Sequence, residues 1–173
     1  MPTPKILVVY YSRSGNTQEV ARAISERLDC GAEPILDRTD RRGIRGWLRS
    51  GRDGWKQRTT EIVPMASRAE DYDLVIVGTP VWASSLSAPV RTYLQSVRGK
   101  AKRVAFFLTY GGSGQDRVFT QMQAAVGQPP IAVLAITERQ LDSGEYRTRA
   151  HDLARAVRQI FSERDELLAA MAS

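Results

Sequence analysis

The chain has 173 residues, 42% of them apolar, with 25 Lys and Arg against 19 Asp and Glu, a net charge of +6, one His and one Cys. That length and apolar content suffice for one full core and hardly for two, so the sequence predicts a single domain over residues 1–173. A lone cysteine excludes an internal disulfide, and one Cys with one His cannot supply the ligands of an ordinary zinc site.

Ile6 to Tyr11 is a continuous apolar run, largely β-branched and aromatic, and predicts a strand buried on both faces. No apolar run in the chain is longer, and it is far short of the ~20 residues of a membrane span. The first residues show no charged-then-apolar signal pattern, so the protein is expected to stay in the cytoplasm. Ser12-Arg13-Ser14-Gly15-Asn16-Thr17 follows, and then Val20, Ala21, Ile24 and Leu28 recur at helical spacing. A strand-to-helix turn with a glycine, hydroxyls and free N–H groups is a ready phosphate cradle, because the donors and the helix dipole both favour an anion. A plain βα turn capped by Ser or Asn fits the same residues. The loop is neither a G-x-G-x-x-G turn nor a P-loop.

Ala32 to Leu36 is the next strand candidate. From Arg38 to Arg58 the chain carries eight basic residues against Asp40 and Asp53, while the remainder has seventeen of each sign. The whole excess charge therefore sits in one stretch. Within it Ile44, Trp47, Leu48, Gly51 and Trp55 fall near one helical face and predict a basic crossover helix between the second and third strands, shortened or broken by Gly46, Gly51 and Gly54. Residues 38–58 read either as a solvated crossover with its indoles in the core, or as a docking face for an acidic partner or a phosphorylated cofactor such as NADPH. Nucleic acid is disfavoured, since the aromatics join an apolar stripe and the rest of the chain is neutral.

Leu74 to Val77 predicts the third strand, followed by the loop Gly78-Thr79-Pro80-Val81-Trp82-Ala83-Ser84-Ser85. Pro80 stiffens that turn, and Trp82 either covers a flat apolar ligand or folds back onto the sheet edge. Ser87 is a candidate N-cap for a helix bearing Val90, Tyr93, Leu94 and Val97. Val104 to Leu108 predicts the fourth strand. Its loop, Thr109-Tyr110-Gly111-Gly112-Ser113-Gly114, offers a second ring and glycines that let backbone N–H groups approach a ligand, although a glycine-rich turn needs no ligand. A helix with Val118, Met122, Ala125 and Val126 comes next, then the breaker Gly127-Gln128-Pro129-Pro130. A strand from Ile131 to Ile136 and a last helix with Leu153, Val157, Ile160 and Phe161 complete the pattern.

Five strands alternating with helices predict an α/β fold: a three-layer sandwich with a parallel sheet in the order 2-1-3-4-5 and helices on both faces. A ligand then lies beyond the carboxyl ends of strands 1 and 3, where the three loops converge. His151 falls in the last helix with no G-x-S-x-G before it, which argues against a Ser-His-Asp hydrolase. Cys30 ends the first helix and reads as a small buried residue. A phosphoreceiver domain needs an Asp where Thr79 stands.

Tyr11-Ser12-Arg13-Ser14-Gly15-Asn16-Thr17 resembles the phosphate loop of flavodoxins. Gly78-Thr79-Pro80-Val81-Trp82 and Thr109-Tyr110-Gly111-Gly112-Ser113-Gly114 resemble that family's two isoalloxazine loops, in the same order and at matching spacing over nearly the whole chain. The resemblance implies a flavodoxin-like sandwich holding FMN non-covalently, with electrons passing through the flavin ring to a redox partner protein or a small acceptor such as a quinone. It implies that Ser12, Ser14, Asn16 and Thr17, with the backbone of Arg13 and Gly15, hold the phosphate. It places Thr79, Pro80 and Trp82, with their neighbours Val81 and Ala83, on one side of the ring, and Tyr110, Gly111, Gly112, Ser113 and Gly114 on the other. No nucleophile, acid or metal is implied, because the flavin carries the chemistry. Electron-carrier flavodoxins are strongly acidic, whereas this chain is neutral with one basic stretch. No separate nicotinamide motif is present, so an electron carrier is expected, with an NAD(P)H-dependent quinone reductase, toward which the missing acidic surface points, and a flavin-free binding module as alternatives. Long-chain members interrupt their fifth strand; here Ile131 to Thr137 is continuous and the extra length lies between strands 2 and 3.

Overall fold

The computed structural model describes residues 3–38 and 59–171. Strand β1 (Ile6–Tyr10) is buried at every position, as its apolar run requires. Helix α1 (Asn16–Leu28) returns the chain to β2 (Gly31–Pro34), and a turn of 3₁₀ helix (Ala69–Asp71) leads into β3 (Leu74–Trp82). A two-residue strand β4 (Ser85–Leu86), helix α2 (Ala88–Ser96), strand β5 (Val104–Tyr110) and helix α3 (Gln115–Val126) follow. Strand β6 (Val133–Thr137), the short α4 (Glu138–Asp142) and the long α5 (Tyr146–Met171) end the described chain.

Five strands pair in parallel in the order β2-β1-β3-β5-β6, and β4 hangs antiparallel from β3. With β4 set aside this is the expected 2-1-3-4-5 order. The strand period of two divides the core between the faces. Leu7, Val9, Val75, Val77, Phe106 and Leu108 meet α2 and α3 through Val90, Tyr93, Leu94, Val118 and Met122. Ile6, Val8, Tyr10, Ile76, Phe107 and Ile136 meet α1 and α5 through Val20, Ile24, Leu153, Val157 and Phe161. Full burial of each Phe, Leu or Ile here stabilises the fold by about 1.5 to 3 kcal/mol. Gly78 makes room for one of them: a Cβ there would lie 2.0 Å from Phe107 Cζ.

Each of the five predicted strands shifts its bounds, and in two the shift has a clear cause. β2 is short and largely exposed, an edge strand that tolerates Pro34, and the apolar anchor Ile35 follows it. β3 does not stop at Val77 but runs five residues further to Trp82, because β5 continues alongside and pairs Pro80 with Thr109. Pairing with β1 has already ended at Gly78, so the missing N–H of Pro80 is tolerated on the unpaired side. Pro80 is thus a strand residue, and the turn falls later, at Ala83 and Ser84. Among the described residues one charged side chain is buried: Arg91 of α2 is 5% exposed, and its Nε and Nη2 meet no acceptor. Desolvation holds its pKa below the ordinary arginine value.

The predicted crossover helix, Ile44 to Trp55, lies outside the described residues, but both roots of the basic stretch are described. Asp37 and Ile62 form an antiparallel bridge, Arg38 N–H donates to the Glu61 carbonyl at 3.1 Å, and Thr60 Oγ1 donates to Asp37 Oδ1 at 3.0 Å. No described helix is long and apolar enough to cross a membrane.

Candidate functional site

The β1–α1 loop leaves the carboxyl end of β1 and turns within a few residues into a helix. Gly15 is the N-cap residue with φ 99°, a conformation that asks for glycine, and Gly15 N–H donates to Ser12 Oγ at 3.1 Å. That bond uses Ser12 as an acceptor and leaves its own O–H free to donate. No side chain caps α1, so the first-turn N–H groups of Asn16, Thr17 and Gln18 lack both intrahelical and side-chain partners among the described residues. An anion at this end is favoured by those donors and by the helix dipole. The Thr17 hydroxyl does not face the loop. It is buried and shares a 2.8 Å hydrogen bond with Thr109 Oγ1, tying the start of α1 to β5.

The opposite wall is the end of β3. Trp82 is half-buried, and its ring meets Tyr11 edge-to-face at 5.6 Å and 89°. The indole packs back against the β1 end and also lines open space. Ala83 (φ 48°) and Ser84 (φ 53°) make the reversal into β4, each in the left-handed region at a cost of about 1 kcal/mol. Thr79, expected beside a ligand, is fully buried, and its Oγ1 bonds Ser87 Oγ at 2.9 Å and the Pro80 carbonyl at 2.9 Å. Ser87 is the N-cap of α2 as predicted, but its hydroxyl serves Thr79 and makes no cap bond.

The end of β5, at Tyr110, and Gly111 after it come to the same space. Gly112 and Ser113 extend into solvent beyond them. Gly114 is the N-cap of α3 with φ 92°, and it packs so closely on the β3–β4 turn that a Cβ would lie 2.7 Å from Ser84 Cα.

These elements enclose a cavity of about 350 Å³ at the carboxyl edge of the sheet. Arg13, Ser14 and Asn16 line it from the first loop, Pro80, Val81 and Trp82 from β3, and Thr109, Tyr110 and Gly111 from β5. Of the residues named from the sequence, Ser12, Gly15, Thr17, Thr79, Ala83, Gly112, Ser113 and Gly114 stand beside or beneath the cavity without lining it. Two lining residues were not assigned from the sequence, Thr109 and Glu138. Glu138 opens α4 directly after β6, and a signal for it exists: Thr137 and Gln140 form a capping box, with Gln140 N–H donating to Thr137 Oγ1 at 3.2 Å. The cavity thus joins an anion-binding helix end, two aromatic rings, backbone at a glycine, and one carboxylate.

Other reactive groups stand apart from it. Burial, and the neighbouring Asp29 carboxylate after it, push the Cys30 thiol up to about 11, so it stays protonated at neutral pH. His151 lies on α5 beside Asp152. No group of His, Cys, Asp and Glu able to hold a metal ion occurs among the described residues.

Known proteins share this architecture. A flavoprotein from Lactobacillus acidophilus, solved in complex with FMN, superposes with a TM-score of 0.67 at 22% identity, over 81% of this chain and 97% of its own. The apo-form of the Lactobacillus acidophilus flavoprotein gives 0.61 at 21% identity, over 82% of this chain and 97% of its own. Oxidised flavodoxin 2 from Bacillus cereus gives 0.59 at 19% identity, over 90% of this chain and 98% of its own. At these identities the likeness shows the fold. A family model described as flavodoxin matches residues 48–141, more than half of the sequence. On that match, with the parallel 2-1-3-4-5 sheet beneath it, the chain belongs to the flavodoxin family.

Proposed function

We propose that the chain binds FMN non-covalently in this cavity and carries electrons between redox partners. The observation that carries the reading is the meeting of the uncapped α1 N-terminus with Trp82 and Tyr110 in one cavity at the switch point of the sheet. The residues present fit the group. The N–H groups of Asn16, Thr17 and Gln18, with the Ser12 and Ser14 hydroxyls and the Asn16 amide, suit a phosphate; Thr17 serves through its backbone, since its hydroxyl is taken by Thr109. Trp82 and Tyr110 suit the two sides of a flat ring. Bound there, the flavin supplies the redox chemistry, and the protein supplies position, exclusion of water and the surrounding charge.

A second reading, NAD(P)H-dependent reduction of a small acceptor such as a quinone, is favoured by the charge distribution. A carrier that docks through an acidic surface needs excess acid, and the excess charge here is basic and confined to residues 38–58. That stretch suits an acidic protein partner or the phosphate of NADPH, with an attraction screened beyond about 8 Å at physiological salt. Titration with FMN tests the binding: a shifted visible spectrum and quenched flavin fluorescence are expected, and their absence overturns both readings. NADPH with a quinone then separates them. A carrier is reduced slowly without a reductase protein, whereas a reductase turns over unaided.

A further inference from the structure

Trp82 is the last residue of β3, and the turn after it lacks the residues such a turn prefers. A two-residue reversal with positive φ at both positions favours Asn-Gly, and here it is Ala83-Ser84. The hairpin holds itself by only two residue pairs, Val81 with Leu86 and Trp82 with Ser85. Helix α3 adds further contacts among the described residues. Gln121 Oε1 accepts the Leu86 N–H at 2.8 Å, and Gln121 Nε2 lies 3.4 Å from Ser85 Oγ. The helix also begins at Gly114, in contact with Ser84. An amide suits this place: its oxygen satisfies a backbone donor and its NH₂ faces a hydroxyl.

We infer that Gln121 is a positioning residue for Trp82. It sits two turns into α3, the helix that follows β5, and Tyr110 is the last residue of that strand, so the brace on the hairpin comes from the element next to the strand end that carries the second ring. The placement of Trp82 opposite Tyr110 then depends on α3 and not on the hairpin's own preference alone. Gln121 does not line the cavity, and it acts through Ser85 and Leu86. The consequence for flavin affinity rests on the function proposed above, while the link from Gln121 to Trp82 does not.

The test uses the full chain with Trp47→Phe and Trp55→Phe, which leaves Trp82 as the single indole. Gln121→Leu removes both hydrogen bonds, and Gln121→Glu keeps an acceptor for Leu86 N–H and for the Ser85 hydroxyl. In the flavin-free protein, Gln121→Leu is expected to raise acrylamide quenching of Trp82 and lower its anisotropy, with Gln121→Glu close to the parent. FMN binding should weaken about tenfold in Gln121→Leu, the loss of a well-placed stacking ring, and less than about twofold in Gln121→Glu. Unchanged Trp82 signals in Gln121→Leu overturn the inference, as does equal loss in both variants. Should Gln121→Leu fail to fold, Gln121→Asn, whose shorter amide cannot reach Leu86, decides by the same readouts. If the parent binds no FMN, the proposed function falls while the Trp82 signals still decide this point.

Discussion

The β1–α1 loop shapes its half of the cavity from within: Gly15 and Ser12, three residues apart, bond each other, and the helix that presents the N–H groups begins at the next position. The Trp82 half is shaped from outside. Its turn depends on Gly114 and on Gln121, the latter 35 residues beyond the Leu86 that it holds. A local wall keeps its form as long as a few neighbours are kept, whereas a wall assembled across the sequence inherits every disturbance of the helix that supports it. Disturbance should therefore be far more costly on the Trp82 side.

Gly114→Ala is expected to have the largest effect, since it meets both a left-handed φ and a 2.7 Å approach to Ser84 backbone. A loss of about 3 kcal/mol in urea unfolding is predicted. A loss below about 1 kcal/mol would mean that the hairpin can withdraw freely and that the second wall is not braced by α3. Trp82→Ala should weaken FMN binding about thirtyfold, through lost aromatic area, and unchanged affinity would place the flavin ring elsewhere. Arg91 belongs to neither wall. Removing its guanidinium, whose Nε and Nη2 are buried without a partner among the described residues, in Arg91→Met should raise stability by about 1 to 2 kcal/mol and leave FMN affinity alone. Reduced affinity would instead join α2 to the second wall.

Gly15→Ala sharpens the contrast with Gly114→Ala. Its φ of 99° is equally demanding, but nothing lies within 4 Å of the added Cβ, so strain acts alone and about 1 kcal/mol should be lost. The smallest effect is expected at the far edge of the sheet. Asp73 accepts the Lys5 N–H at 2.9 Å and faces Lys102 Nζ at 3.2 Å, and these partners, the backbone bond foremost, hold its pKa below the ordinary aspartate value. A depressed folded pKa stabilises above the unfolded value, near 3.9, and the gain is lost as pH falls through the folded one. Asp73→Asn should therefore unfold slightly earlier in urea at pH 7, converge with the parent toward pH 3, and bind FMN normally. A gap that widens on acidification would reverse the sign.

The same contrast explains what was legible in the sequence. The first loop could be read because a glycine, its hydroxyl partner and the helix start are contiguous, and the core strands because Ile6 to Tyr10 and Val104 to Leu108 are apolar without interruption. The hairpin could not, because Ala83-Ser84 carries none of the glycine or asparagine that marks a tight reversal. Its existence depends on β5 running beside Pro80 and on Gln121 meeting Leu86, both contacts between distant segments. Thr17 and Thr79 look like ligand-facing hydroxyls in a string of residues, yet each pairs with another hydroxyl beneath the cavity. Only the fold distinguishes a polar group that faces a ligand from one that fastens two elements together.

The bridge between Asp37 and Ile62 holds the two ends of the intervening stretch side by side. Chain ends already held side by side need only a short link, and shortening a loop changes its closure entropy by little. Replacing residues 39–58 by a few glycines and serines would remove seven of the basic residues and both acids, leaving a nearly neutral domain. The excess charge of this chain is thus concentrated between two chain ends that the fold already holds together.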